Sequence, residues 1–165
     1  MSIERDERFM RAALEQARLA YSLGEVPVGA VVVKGDEIVS AGCNKRETGR
    51  NALSHAELSA ISAACEALHG WRLWQCELYV TLEPCPMCTG AIINARLPRV
   101  VFGAYDTKAG SCGSVVDLFE FPYNHKAEVV GGVLGEECSE LLSSFFKELR
   151  ERKNNKIPLT GAEPR

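Results

Sequence analysis

"ELYVTLEPCPMCTGAIINARLPRVVFGA", residues 77–104, holds two apolar, β-rich runs with a segment of helical composition between them. Glu77–Leu82 and Arg99–Ala104 read as strands. Pro86–Ala95 reads as a short helix. A strand, a helix and a strand in so short a span imply a parallel pair joined by a right-handed crossover, which places the chain in the α/β class.

Upstream, Phe9, Met10, Ala13, Leu14, Ala17, Ala20 and Tyr21 recur at helical spacing, so Arg5–Leu23 is expected to be an amphipathic helix closed by Gly24. "VPVGAVVV" (26–33) is too uniformly apolar for a half-exposed strand. With the turn "KGDE" and the run "IVSAGC" it predicts a hairpin whose first strand is buried. An antiparallel hairpin beside a parallel pair makes a mixed sheet. The loop "NKRETGRNA" leads into a helix over about Ser54–Leu68, with Leu58, Ile61, Cys65 and Leu68 on its core side. Tyr105–Lys126, rich in Gly, Ser, Asp and aromatic residues, reads as a long surface segment. "AEVVGGV" adds a last strand, and Glu136–Lys153 a helix with a wide apolar face. Residues 1–153 are expected to form one domain and 154–165 a flexible tail.

A chain of 165 residues, 46% hydrophobic, is long enough for one domain with a proper core. Its net charge of −3 excludes attachment to nucleic acid by overall electrostatics, so any RNA contact is regional and no DNA partner is expected. Seven cysteines, an odd number, behind a charged start predict a reducing, cytoplasmic setting rather than a disulfide framework. No apolar run approaches the roughly 20 residues needed to span a bilayer, so no membrane partner is expected.

Cys85 and Cys88, at i and i+3 on the first turn of a helix, share one face, and the helix N-terminus favours the thiolate form a metal needs. His55, at the start of the preceding helix, becomes a third ligand if the two helix origins lie side by side. Two thiolates and an imidazole suit zinc, and three protein ligands leave a fourth position for water, the arrangement of a catalytic site. Glu57, two positions past His55, is then placed to move protons. Simpler readings stay open for each piece. Ser54 and Glu57 fit a capping box, the CxxC fits a redox dithiol, and Cys43 or Cys76 would serve as the fourth ligand of a structural zinc.

HxE (His55–Glu57) followed by PCxxC (Pro84–Cys88) resembles the signature of the zinc-dependent nucleoside and nucleobase deaminases. "EVPVGAVVV", "GCN", "TLEPCPMC", "VVFGAYD", "NH" and "FFKELR", running in order from Glu25 to Arg150, are similar to the branch of that family acting on the wobble adenosine of tRNA. The resemblance implies a three-layer α/β/α sandwich around a five-stranded mixed sheet, a homodimer, one zinc ion per subunit and an anticodon stem-loop as substrate. It implies His55, Cys85 and Cys88 as zinc ligands and Glu57 as the proton shuttle. Asn44 would hold the base and ribose, Val26, Pro27 and Val28 would wall the pocket, and Asp106 and Lys108 would meet sugar and phosphate. Asn124, Phe145, Phe146 and Arg150 would accept flanking nucleotides, on a helix end that also carries Lys147, Arg152, Lys153 and Lys156. "CPMC" is equally the form of relatives acting on free guanine or cytosine, so the zinc half-site alone does not choose the substrate.

Overall fold

The computed structural model describes residues 2–155, leaving Lys156 and most of the expected tail outside the described residues. Five strands form one mixed sheet in the order β2-β1-β3-β4-β5, built from β1 (Gly29–Lys34), β2 (Glu37–Cys43), β3 (Cys76–Leu82), β4 (Arg99–Ala104) and β5 (Glu128–Val130). β1 pairs antiparallel with both β2 and β3, whereas β3–β4 and β4–β5 are parallel. Helices α1 (Ile3–Ser22) and α4 (Gly135–Asn154) cover one face, and α2 (Ala56–Ala67) and α3 (Pro86–Ala95) the other. The expected three-layer α/β/α sandwich is the observed architecture.

Side-chain alternation explains why the central strands are apolar throughout. Val31, Val33, Tyr79 and Val101 pack beneath α1 and α4, while Ala30, Val32, Leu78, Val80, Val100 and Phe102 pack beneath α2 and α3. With both faces covered, no position is left for polar alternation. Two glycines set how closely the layers approach. A Cβ at Gly29 would collide with the backbone of α1 at Ala13 and Ala17, and one at Gly42 with the backbone of α2 at Ala56 and Ala60. Gly42 therefore seats the first turn of α2 directly on β2.

α1 is capped by Ser2, whose hydroxyl accepts the Arg5 N–H. It closes as expected, with Gly24 N–H donating to Tyr21 O and Glu25 N–H to Ala20 O, each at 3.0 Å. Its buried Asp6 accepts hydrogen bonds from Arg99 at 2.7 and 2.8 Å and from the Tyr79 hydroxyl at 2.8 Å. Glu77 accepts from Arg99 and from Arg5 alongside. This charged cluster fastens α1 to the starts of β3 and β4, the end of the sheet away from the metal-ligand motif.

Three expectations are corrected. The buried residues of α2 are Ala56, Glu57, Ala60, Ile61 and Ala64, so Leu58 and Leu68 are not on its core side as expected. Helix α2 starts at Ala56 with His55 as its N-cap, so Ser54 is not the cap and Ser54–Glu57 is not a capping box. The segment after β4 is not wholly a surface loop. Gly110, Ser111, Cys112 and Phe119 are buried, and Leu118–Glu120 forms a 3-10 turn.

Candidate active site

The crossovers into α2 and α3 bring both helix origins to the same end of the sheet. His55 is the N-cap of α2 and Cys85 the N-cap of α3, with Cys88 fully buried one turn further on. His55 Nδ1 lies 3.6 Å from Cys85 Sγ and 3.5 Å from Cys88 Sγ. Zinc–sulfur bonds of about 2.3 Å and a zinc–nitrogen bond of about 2.0 Å at a tetrahedral angle put sulfur and nitrogen about 3.5 Å apart, so these residues fit the ion. All three ligand atoms lie within 4.8 Å of one another, and no fourth His, Cys, Asp or Glu joins the group among the described residues. Cys43 and Cys76, the candidates for a structural fourth ligand, are buried elsewhere, at the end of β2 and the start of β3. A tetrahedral ion held here keeps an open corner.

Electrostatics divide the two thiols. Hydrogen bonding from Cys88, and then from His55, holds Cys85 down to about 4, so it is a thiolate at neutral pH. Cys88 is pushed up, first by its hydrogen bond to that thiolate and then by burial. His55 is raised, mainly by its hydrogen bond with Cys85. Glu57 is 4% exposed, and burial pushes its carboxyl up to about 7. A carboxyl in that condition accepts or gives a proton near neutrality.

A cavity of about 210 Å³ opens in front of these groups, lined among others by Val26, Val28, Asn44, His55, Glu57 and Asp106. The structure thus brings together eight of the expected site residues: His55, Glu57, Cys85, Cys88, Asn44, Val26, Val28 and Asp106. Asn44 is pinned, donating from Nδ2 to Val26 O and accepting the Arg46 N–H on Oδ1, both at 3.2 Å. Asp106 Oδ1 accepts from the Lys108 and Ala109 N–H groups. Of the three residues expected to wall the pocket, Val26 and Val28 line the cavity, whereas Pro27 is buried and does not.

The remaining expected residues lie outside. Lys108, Asn124 and Arg150 are exposed and do not line the cavity. Phe145 is 6% exposed and packs edge-on against Tyr21, making it a link between α4 and α1, whereas Phe146 is 40% exposed. Sequence reasoning missed Arg46 and Glu83, which also line the cavity. It missed Glu25 too, a buried carboxylate that accepts the Glu47 and Thr48 N–H groups and shapes the loop leading to His55. An acid in an apolar context, as in "TLEP" and "LGEVPV", was the available signal.

Residues 3–104 match the cytidine and deoxycytidylate deaminase zinc-binding region, and the chain belongs to that family of zinc-dependent deaminases. Over 149 residues it is 51% identical to a tRNA-specific adenosine deaminase of Bacillus subtilis, covering 90% of this chain and 92% of that one. It is 47% identical over 152 residues to a tRNA-specific adenosine deaminase of Haemophilus influenzae, covering 91% and 88% of the two chains. A solved structure from work on A-to-I editing by tRNA:A34 deaminases at the wobble position of transfer RNA superposes with a TM-score of 0.79 at 41% identity. It covers 81% of this chain and 98% of its own.

Proposed function

We propose that this chain converts the wobble adenosine of a tRNA anticodon to inosine by zinc-dependent hydrolytic deamination. The observation that carries the reading is the three-ligand cluster with an unligated, buried Glu57 beside it in a base-sized cavity. The likeness to tRNA-specific adenosine deaminases over nine-tenths of the chain supports the choice of substrate.

His55, Cys85 and Cys88 would hold the zinc, which when bound lowers the pKa of a water molecule toward about 7 and so supplies a nucleophile. Glu57 takes one proton from the attacking water and delivers it to N1 of the adenine as oxygen bonds to C6. It then takes the second proton from that oxygen and delivers it to the amine, so that the C6–N6 bond breaks as the C6 carbonyl forms and ammonia leaves. Asn44 and Val28 hold the base, with Asp106 at the mouth. Val26, Val28 and Leu82 give the cavity an apolar wall, which would limit water on the proton path once a base fills it. An anticodon loop suits so closed a pocket because its bases are already partly unstacked, which lowers the cost of turning one out. Lys108, Asn124, Phe146 and Arg150, exposed outside the cavity, are available to the flanking nucleotides.

The reading includes a homodimer and a cytoplasmic setting. The outer faces of α2 and α3 present Leu58, Ala63, Met87, Gly90 and Ala91, all part-exposed, which supports a partner copy there. No helix among the described residues is long and apolar enough to cross a membrane. The deciding experiment incubates zinc-loaded protein with an anticodon stem-loop and, separately, with free guanine, cytosine and adenosine. Inosine at the single wobble position with ammonia release is the expected result; turnover of a free base alone would replace the tRNA substrate.

A further inference from the structure

One buried acid at this site has no part in the proton path. Glu83, 2% exposed, occupies the turn between β3 and the ligand Cys85. Its carboxylate is directed into the segment after β4. Oε1 accepts the N–H groups of Cys112 at 3.2 Å and Ser114 at 3.0 Å. Oε2 accepts the Asp106 N–H at 3.0 Å and the Ser114 hydroxyl. Burying a carboxylate is unfavourable unless donors answer its charge, and here four neutral donors, from residues 23 to 31 positions downstream, do so.

The contact is close as well as polar. A Cβ on Gly110 would collide with both the Glu83 carboxylate and the Asp106 carbonyl oxygen, so only glycine lets the segment lie this near. The next residue of the turn takes part too, since Pro84 O accepts the Ser111 N–H at 2.9 Å. Asp106 and Ala109, within the segment so held, line the cavity.

We infer that Glu83 is a positioning residue that clamps segment 105–114 into the wall of the substrate pocket, setting affinity for the substrate while leaving the chemical step to Glu57 and the metal. The inference rests on the deaminase reading above. Every interaction of Glu83 described here is with the wall segment, so its loss loosens the wall and leaves the ligand set in place.

Glu83→Gln keeps the side chain's size but turns one acceptor into an NH2 group facing a backbone N–H. Ser114→Ala, at an exposed position, removes only the hydroxyl bond and spares the fold. Both are compared with the wild type for zinc per subunit, for KM and kcat on the stem-loop, and for hydrogen exchange at the amides of Asp106, Cys112 and Ser114. Expected for Glu83→Gln is full zinc content, a KM raised about tenfold, kcat within about threefold and faster exchange at the three amides. Ser114→Ala is expected to raise KM about threefold. An unchanged KM in either variant, a fall confined to kcat, or loss of zinc would overturn the clamp. If Glu83→Gln does not fold, Ser114→Ala decides alone by the same criteria. A wild type inert on the stem-loop would instead overturn the substrate reading, which is a different outcome from wild-type turnover with unaltered variants.

Discussion

His55 and Glu57 lie two positions apart yet acquire different chemistry because α2 begins between them. His55 keeps an extended backbone as the N-cap and turns its ring toward the cysteines, while Glu57 is already in the helix, buried and outside the ligand group. Glu57→Ala should therefore keep zinc content and fold while cutting ammonia release by roughly 100- to 10,000-fold, as measured by metal analysis beside a turnover assay. Cys88→Ala should instead lose the metal, since one imidazole and one thiolate remain; zinc surviving at one per subunit would refute the ligand assignment. The cysteine pair of the candidate ligand cluster was legible because its spacing is local and the i, i+3 rule needs only one helix turn, whereas His55 joins it only through the crossovers of the sheet. Whether Glu57 capped the helix or faced a pocket was not legible, because that depends on a one-residue shift in where α2 starts. Glu83 and Glu25 showed in the sequence only as acids in apolar stretches, and their burial was not readable because the N–H groups that justify it come from loops about 22 to 31 residues away.

At the level of elements, α1 is held by charge as well as by its apolar stripe. Burial alone would raise the Asp6 carboxyl, but hydrogen bonds from Arg99 and Tyr79 and the charges of Arg99 and Arg5 outweigh it, leaving the group below its ordinary value. A depressed carboxyl adds stability that is fully present above its unfolded pKa of about 3.9 and is lost as pH falls through the lower folded value. Asp6→Asn should thus cost about 3–5 kcal/mol near neutrality, the scale for breaking a buried ion pair, with the difference from wild type shrinking below about pH 4. Urea titrations at several pH values measure this, and a gap independent of pH would show the ionised form is not what matters. The stripe of α1 and the β3–α3–β4 unit were readable from periodicity. The Asp6–Arg99 pair was not, since nothing local marks which of many surface-seeming acids the fold will enclose.

For the whole molecule, the decisive fact is that two helix origins from separate crossovers meet at one end of a mixed sheet. The crossover rule made that meeting a reasonable expectation, and the strand order that realises it depends on β1 pairing with β3 across a long interval, which no local pattern states. A Cβ added at Gly90 on α3 would meet nothing within 4 Å, so Gly90→Arg is tolerated by a single subunit. Light scattering should give the mass of two chains for the wild type and of one for Gly90→Arg; a monomeric wild type would remove the dimer. Neither α2 nor α3 has a side-chain hydrogen bond from its N-cap residue, and the two N-cap side chains, His55 and Cys85, face each other in the cluster that would hold the ion. Coordination then substitutes for capping, and stripping the protein with a chelator should unpick the opening turns of both helices while the sheet stays shut. Protease nicking near residues 55 and 86, ahead of any loss of overall ellipticity, would be the visible trace of a metal that serves as a peg as much as a reagent.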